Sequence, residues 1–128
     1  MNELTIYMCE TCGNLIAMLE DSGVTPMCCG DEMAVPPANK DDGGSTEKHV
    51  PVMHREGDTV TVNVGVAPHP MTGAHYVAWV ALCTCCGIYF RRLEPGEAPE
   101  AKFTLQPKEK VTAVYAWCNV HGLWKLEV

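Results

Sequence analysis

The sequence predicts an all-β protein in which a small metal-stapled unit precedes an antiparallel β-sandwich. Three observations carry this expectation. Apolar residues recur with a period of two in short runs, most clearly over 59–67, where Val60, Val62, Val64 and Val66 alternate with Thr59, Thr61, Asn63 and Gly65; such a run is a strand with one face in a core. No segment carries the i, i+3, i+4 spacing of an amphipathic helix. Four of the eight cysteines stand in two pairs near the N-terminus, as thiolate metal ligands do.

Residues 1–37 read as the first unit. A short strand over 4–8 leads into the knuckle Cys9-Glu-Thr-Cys12-Gly13, a second strand covers 15–19, and Cys28-Cys29-Gly30 brings back the other two ligands. Cys9, Cys12, Cys28 and Cys29 offer four thiolates, and Gly13 and Gly30 permit the tight turns that a metal knuckle needs. A piece this small cannot fold on core burial, so the metal has to supply much of its stability. Four thiolates accept either iron or zinc. Residues 38–46 are polar, glycine-rich and aperiodic, and read as a linker.

From 47 to 128 the alternation returns. The strand at 59–67 is followed by a hairpin of 76–82 and 88–92 around 83–87, by an alternating strand at 111–118, and by a final strand at 123–128 after the Gly122 turn. Short strands at this spacing argue for an antiparallel sandwich. His54 falls in a polar run expected to form a turn, and reads as a surface residue.

Composition narrows the function. Nine Lys+Arg against sixteen Asp+Glu give a formal net charge of −7, which is unsuited to nucleic acid or an anionic membrane surface. Nothing approaches the roughly 18 uninterrupted apolar residues of a membrane span. The first residues lack the basic start and apolar run of a signal peptide, so the chain is expected in the cytoplasm, where metal thiolates are the better reading of the cysteines than disulfides.

A second metal site is signalled by Cys118-Asn-Val-His121-Gly122. A soft anionic sulfur three positions from a borderline nitrogen suits iron, zinc or copper. Alone, the pair is also what a structural zinc site shows. Three further histidines stand at loop or strand-end positions, where side chains from different elements can converge: His49 ahead of a Val-Pro strand, and His69 and His75 in a Pro/Gly segment. Four histidines and one cysteine are one ligand too many for tetrahedral zinc and one short of an octahedron, which suggests redox iron with a vacancy.

Four segments then carry a family resemblance. Glu-Lys-His-Val-Pro-Val at 47–52, His-Pro-Met and His-Tyr within 69–76, Pro-Gly-Glu-Ala-Pro-Glu-Ala at 95–101 and Cys-Asn-x-His-Gly-Leu-Trp at 118–124 resemble the superoxide reductases of the desulfoferrodoxin family. The N-terminal cysteines resemble that family's desulforedoxin module, so the likeness covers almost the whole chain. It implies an immunoglobulin-like, seven-stranded sandwich over 47–128 and two irons per chain. One is a four-thiolate iron at Cys9, Cys12, Cys28 and Cys29. The other is an iron held by four imidazoles and one thiolate, with His49, His69, His75 and His121 equatorial and Cys118 axial. The implied reaction is the one-electron reduction of superoxide to hydrogen peroxide.

By the same resemblance, Lys48 aims its ammonium at the open position, drawing in superoxide and ordering a proton-donating water. Glu47 resembles the carboxylate that takes that position once the product has left. Rubredoxin or a similar small carrier is the implied electron donor, and a homodimer the implied assembly. Iron in the four-cysteine site would be a one-electron relay or store; zinc would be a staple. Two readings compete: an electron-carrier or metal-storage protein in which the cysteine-rich unit does the work, and a superoxide dismutase using the iron in both redox directions. Cys83-Thr84-Cys85-Cys86 departs from the family pattern. Its thiols could bind a further soft metal, join two chains or stay reduced; with a fourth ligand missing, they are read as reduced and non-catalytic.

Overall fold

The computed structural model describes residues 3–43 and 48–128. They form two compact units, Glu3–Pro37 and a larger one from Ala38 onward, and every regular element among the described residues is a strand.

The first unit is made of two minimal hairpins. β1 (Ile6–Met8) pairs antiparallel with β2 (Leu15–Ala17), and β3 (Met27–Cys28) with β4 (Asp31–Glu32). A single bridge joins them, Met8 N–H to Ala34 carbonyl at 2.7 Å and the reverse bond at 2.9 Å. The strands are shorter than the 4–8 and 15–19 expected, because the chain must turn at once to bring its thiols together. Gly13 and Gly30 take φ of 82° and 80°, and Cys29 itself takes φ of 52°. That left-handed backbone, rare for a side-chain-bearing residue, lets two successive cysteines face one point.

The second unit begins with β5 (Ala38–Asn39), which runs parallel to the last strand, so the polar stretch read as linker starts inside a sheet. Seven antiparallel strands follow: β6 (Pro51–Glu56), β7 (Thr59–Val64), β8 (Val77–Thr84), β9 (Ile88–Arg92), β10 (Glu100–Thr104), β11 (Val111–Cys118) and β12 (Gly122–Glu127). They lie in two sheets, ordered β10-β7-β6 and β5-β12-β11-β8-β9, which is the expected immunoglobulin-like sandwich. Val60, Val62 and Val64 of β7 with Ala101 and Phe103 of β10 meet Val77, Val80 and Leu82 of β8 and Val114 and Ala116 of β11. Each valine so buried contributes about 1.5–2 kcal/mol. A register shift between Trp117 and Cys118 leaves Ala78 as a bulge, and this puts both Val77 and Val80 on the core face despite their odd separation.

Several boundaries differ from the sequence reading. β7 stops at Val64, because Gly65 (φ 83°) leaves the strand. β10 was not anticipated. β8 runs on to Thr84, which places Cys83 inside the strand and fully buried. His54 is exposed, as expected, but lies within β6 opposite Thr61 rather than in a turn.

Register fixes where the chemistry gathers. The start of β6 pairs with the end of β7 (Pro51 with Val64), and the end of β11 pairs with both the start of β8 (Cys118 with Val77) and the start of β12 (Cys118 with Gly122). Within each sheet, therefore, the segments carrying His49 and His69, and those carrying His75, Cys118 and His121, come to one end.

Candidate metal centres

In the first unit, Cys9, Cys12, Cys28 and Cys29 bring their sulfurs within 4.8 Å of one another. Cys12 Sγ lies 3.6 Å from Cys28 Sγ, and Cys28 Sγ 4.0 Å from Cys29 Sγ. Sulfurs bound at ~2.3 Å to the centre of a tetrahedron stand roughly 3.8 Å apart, so the cradle has the right size. Its electrostatics point the same way. The Cys12 N–H, 3.4 Å from Cys9 Sγ, is the main reason the Cys9 thiol is pulled down to about 6. Cys29 is pushed up to about 12 by hydrogen bonds with the Cys12, Cys9 and Cys28 sulfurs, and Cys28 is also raised, first by Cys9. Four thiols this close cannot all ionise without a cation among them, and a cation is what the site would hold.

In the second unit, His49, His75, Cys118 and His121 bring donor atoms within 4.8 Å of one another. His49 Nε2 stands 3.1 Å from His121 Nδ1, close to the roughly 3 Å between neighbouring nitrogens bound at ~2.1 Å and a right angle. The fifth expected donor adjoins them: the His69 ring lies 4.5 Å from that of His49 and 4.8 Å from that of His75. His69 Nδ1 is 2.7 Å from the Pro70 carbonyl. With the proton on Nδ1, Nε2 carries the lone pair, the usual way a backbone carbonyl fixes a ligand's tautomer. Cys118 shares a face of β11 with Val114 and Ala116 and is 1% exposed. Its sulfur accepts the His121 N–H at 3.4 Å and lies 3.9 Å from His121 Nδ1. His49 and His69 are buried, His75 half-buried and His121 exposed, so the centre opens to solvent on one side.

Residues that sequence reasoning passed over hold these side chains in place. Asp42 Oδ1 accepts the His49 N–H at 2.6 Å and the Val50 N–H at 3.3 Å, and lies 3.9 Å from His49 Nδ1. Trp124 stacks on the His49 ring at 4.5 Å and 14°. Asn119 accepts the Tyr76 N–H at 2.8 Å and donates to the Ala74 carbonyl at 3.0 Å, which ties the His75 segment to the Cys118–His121 turn. Thr72 and His75 exchange backbone hydrogen bonds of 2.9 and 3.2 Å. The only signal for any of these was Asn119 and Trp124 falling within the Cys-Asn-x-His-Gly-Leu-Trp motif.

Lys48 is half-buried, and its carbonyl packs against Gly65. Glu47 lies outside the described residues. Cys83 is buried in β8, apart from the exposed Cys85 and Cys86.

Two family models divide the chain much as the fold does: desulfoferrodoxin matches residues 41–127 and desulfoferrodoxin, N-terminal domain, residues 1–35. The chain belongs to the desulfoferrodoxin family. The desulfoferrodoxin homolog of Archaeoglobus fulgidus is 38% identical to this chain over 122 residues, covering 95% of each. The desulfoferrodoxin of Nitratidesulfovibrio vulgaris is 38% identical over 126 residues, covering 98% of each. Among solved structures, the superoxide reductase from Treponema pallidum superposes with a TM-score of 0.83 over 98% of each chain, at 33% identity. Among the described residues no helix is long and apolar enough to cross a membrane.

Proposed function

We propose that this protein is a superoxide reductase working at the centre formed by His49, His69, His75, His121 and Cys118. The observation that carries this reading is the convergence of four of those donors within 4.8 Å, with the fifth ring packed against them. The shared fold with the T. pallidum superoxide reductase supports it. Ferrous iron bound there supplies the one electron which, with two protons, turns superoxide into hydrogen peroxide.

The chain's own residues shape the rest. Four neutral imidazoles and one thiolate contribute a single negative charge, so a divalent ion leaves the centre net positive and attractive to an anion. The His121 N–H donates to Cys118 Sγ at 3.4 Å and fixes where that sulfur points. Lys48, next in sequence to His49, adds a second positive charge for the incoming anion and orders at Nζ the water that delivers protons. Glu47 would offer its carboxylate to an iron held there once peroxide has been released.

Residues 1–37 form the accessory domain, with iron on Cys9, Cys12, Cys28 and Cys29 as a one-electron relay or store, or zinc there as a staple. The catalytic domain is 47–128, and the 38–46 stretch that leads into it adds β5 to its sheet and Asp42 beside His49. A rubredoxin-like carrier would return the electron to an iron held by the His/Cys centre, and the chain acts as a cytoplasmic homodimer.

The test is a known pulse of superoxide delivered without oxygen to the fully reduced, metal-loaded protein, with hydrogen peroxide and dioxygen counted. One peroxide per superoxide and no dioxygen is expected, and His75→Ala should abolish the reaction. Half as much peroxide with matching dioxygen means a dismutase. Superoxide decaying no faster than in buffer means an electron carrier.

A further inference from the structure

The hairpin between β8 and β9 turns through Cys85-Cys86-Gly87, and nothing in the proposed reaction uses its thiols. Cys83 is sequestered in the core, whereas Cys85 and Cys86 are exposed and reduced. Their sulfurs lie only 3.0 Å apart, closer than two sulfurs in ordinary contact.

The turn that presents them is firmly built. Cys85 N–H donates to the Lys110 carbonyl at 2.9 Å, Thr84 N–H to the Gly87 carbonyl at 2.9 Å, and the Cys86 and Gly87 N–H groups both to Thr84 Oγ1 at 3.1 Å. Thr84 Oγ1 in turn donates to the buried Glu109. The two thiols are also inequivalent. Cys85 is held below the ordinary thiol range, first by the hydrogen bond from Cys86 and then by the Lys110 backbone, while Cys86 is held above it, first by its bond to Cys85. One sulfur is disposed to attack while its neighbour keeps a proton.

We propose that Cys85 and Cys86 are a peroxide-responsive dithiol that closes to a vicinal disulfide in the hairpin turn. The Cys85 sulfur attacks one oxygen of hydrogen peroxide, the O–O bond breaks, and the departing hydroxide takes up a proton and leaves as water; Cys85 is now a sulfenic acid. The Cys86 sulfur attacks the Cys85 sulfur, the S–O bond breaks, and the hydroxide leaves with the Cys86 proton as a second water. Two thiols and one peroxide give one disulfide and two waters, and a thiol reductant restores the pair by exchange.

That the peroxide comes from the protein's own turnover rests on the function proposed above; the thiol chemistry does not. The hairpin is at the far end of the eight-residue β8 from His75, roughly 25 Å along the strand. Peroxide therefore arrives by diffusion, and the pair takes no part in the metal centre.

The test uses full-length, metal-loaded, reduced protein treated with a few equivalents of hydrogen peroxide, then denatured, alkylated with iodoacetamide and mapped by mass spectrometry. The peptide holding Cys83, Cys85 and Cys86 should take one alkyl group, at Cys83, in place of three, should be lighter by about two daltons before alkylation, and should recover on reduction. In Cys86→Ser, Cys85 should be captured by dimedone; in Cys85→Ser, Cys86 should remain alkylatable. Both variants should consume superoxide as the parent does. Full alkylation of both thiols after peroxide, or a disulfide joining two chains, overturns the proposal. Because added peroxide is used, its failure is distinguishable from failure of the reductase reading, which the superoxide pulse judges.

Discussion

At the scale of single residues, His49 shows what a ligand needs beyond a nitrogen. Its backbone N–H is held by Asp42 Oδ1 at 2.6 Å, its Nδ1 lies 3.9 Å from the same oxygen, and Trp124 stacks on its ring. A ligand fixed from both sides loses little freedom when metal binds, and removing such support typically costs 10–100-fold in affinity. Asp42→Ala should therefore lose metal from the histidine centre to a chelator about 10–100-fold more readily than the parent, while the four-cysteine centre releases its metal unchanged. Asp42→Asn, which keeps an acceptor oxygen, should sit between them. Parent-like retention in Asp42→Ala would show that Trp124 and the fold suffice. The side chains that converge were legible because imidazole and thiolate carry their chemistry in their identity. Asp42 was not, since it acts through backbone N–H groups seven and eight positions away and sits in a polar run that reads only as linker.

At the scale of elements, the close approach of two loops decides whether the histidines meet. Gly65 ends β7 with φ of 83°, and a Cβ there would stand 2.4 Å from the Lys48 carbonyl oxygen and 2.5 Å from that of Ala67. Both are backbone atoms, and they lie on the segments leading to His49 and His69. Gly65→Ala should cost about 2 kcal/mol or more, from left-handed strain plus the clash, and should lower the metal content of the histidine centre. Gly57 has φ of 62° with open space around it, so Gly57→Ala should show only the strain. Equal losses in thermal unfolding for the two variants would rule out the close approach as the cause.

Glu109 joins elements in another way. It is 4% exposed and accepts hydrogen bonds from Thr84, from Tyr89 Oη at 2.8 Å and from the Gln106 N–H at 3.0 Å, so it ties the β8–β9 hairpin to the loop before β11. These bonds, that of Thr84 first, hold its carboxyl below the usual range. A carboxyl with a lower pKa folded than unfolded adds stability that is complete above the unfolded value and is lost as pH falls through the folded one. In urea unfolding, the parent should therefore exceed Glu109→Gln most near neutral pH, and the gap should narrow below about pH 4.3. A pH-independent gap would mean the variant fails through packing alone. Period-two alternation made β7 and β11 legible. β10, where buried Ala101 and Phe103 alternate with exposed Lys102 and Thr104, was hidden behind a Pro/Gly run, and nothing in a sequence pattern marks one buried glutamate.

At the scale of the whole molecule, the two units meet the cost of folding by different means. The larger one has a contiguous apolar core drawn from both sheets. In the smaller, the buried apolar side chains beside Cys9 are Leu4, Ile6, Met33 and Pro36, none of which belongs to that core. So few buried apolar side chains cannot hold a unit of this size by core burial, and metal–thiolate bonds supply the stability it needs. Stripping both metals under reducing conditions should therefore collapse the amide resonances of Glu3–Pro37 to random-coil positions. β6–β12 should keep their dispersion and a cooperative urea transition, with changes confined to the segments bearing His49, His69, His75 and His121. If the smaller unit stayed ordered without metal, its four cysteines would be packing residues after all. If the sandwich unfolded as well, metal rather than the valine core would be what holds it.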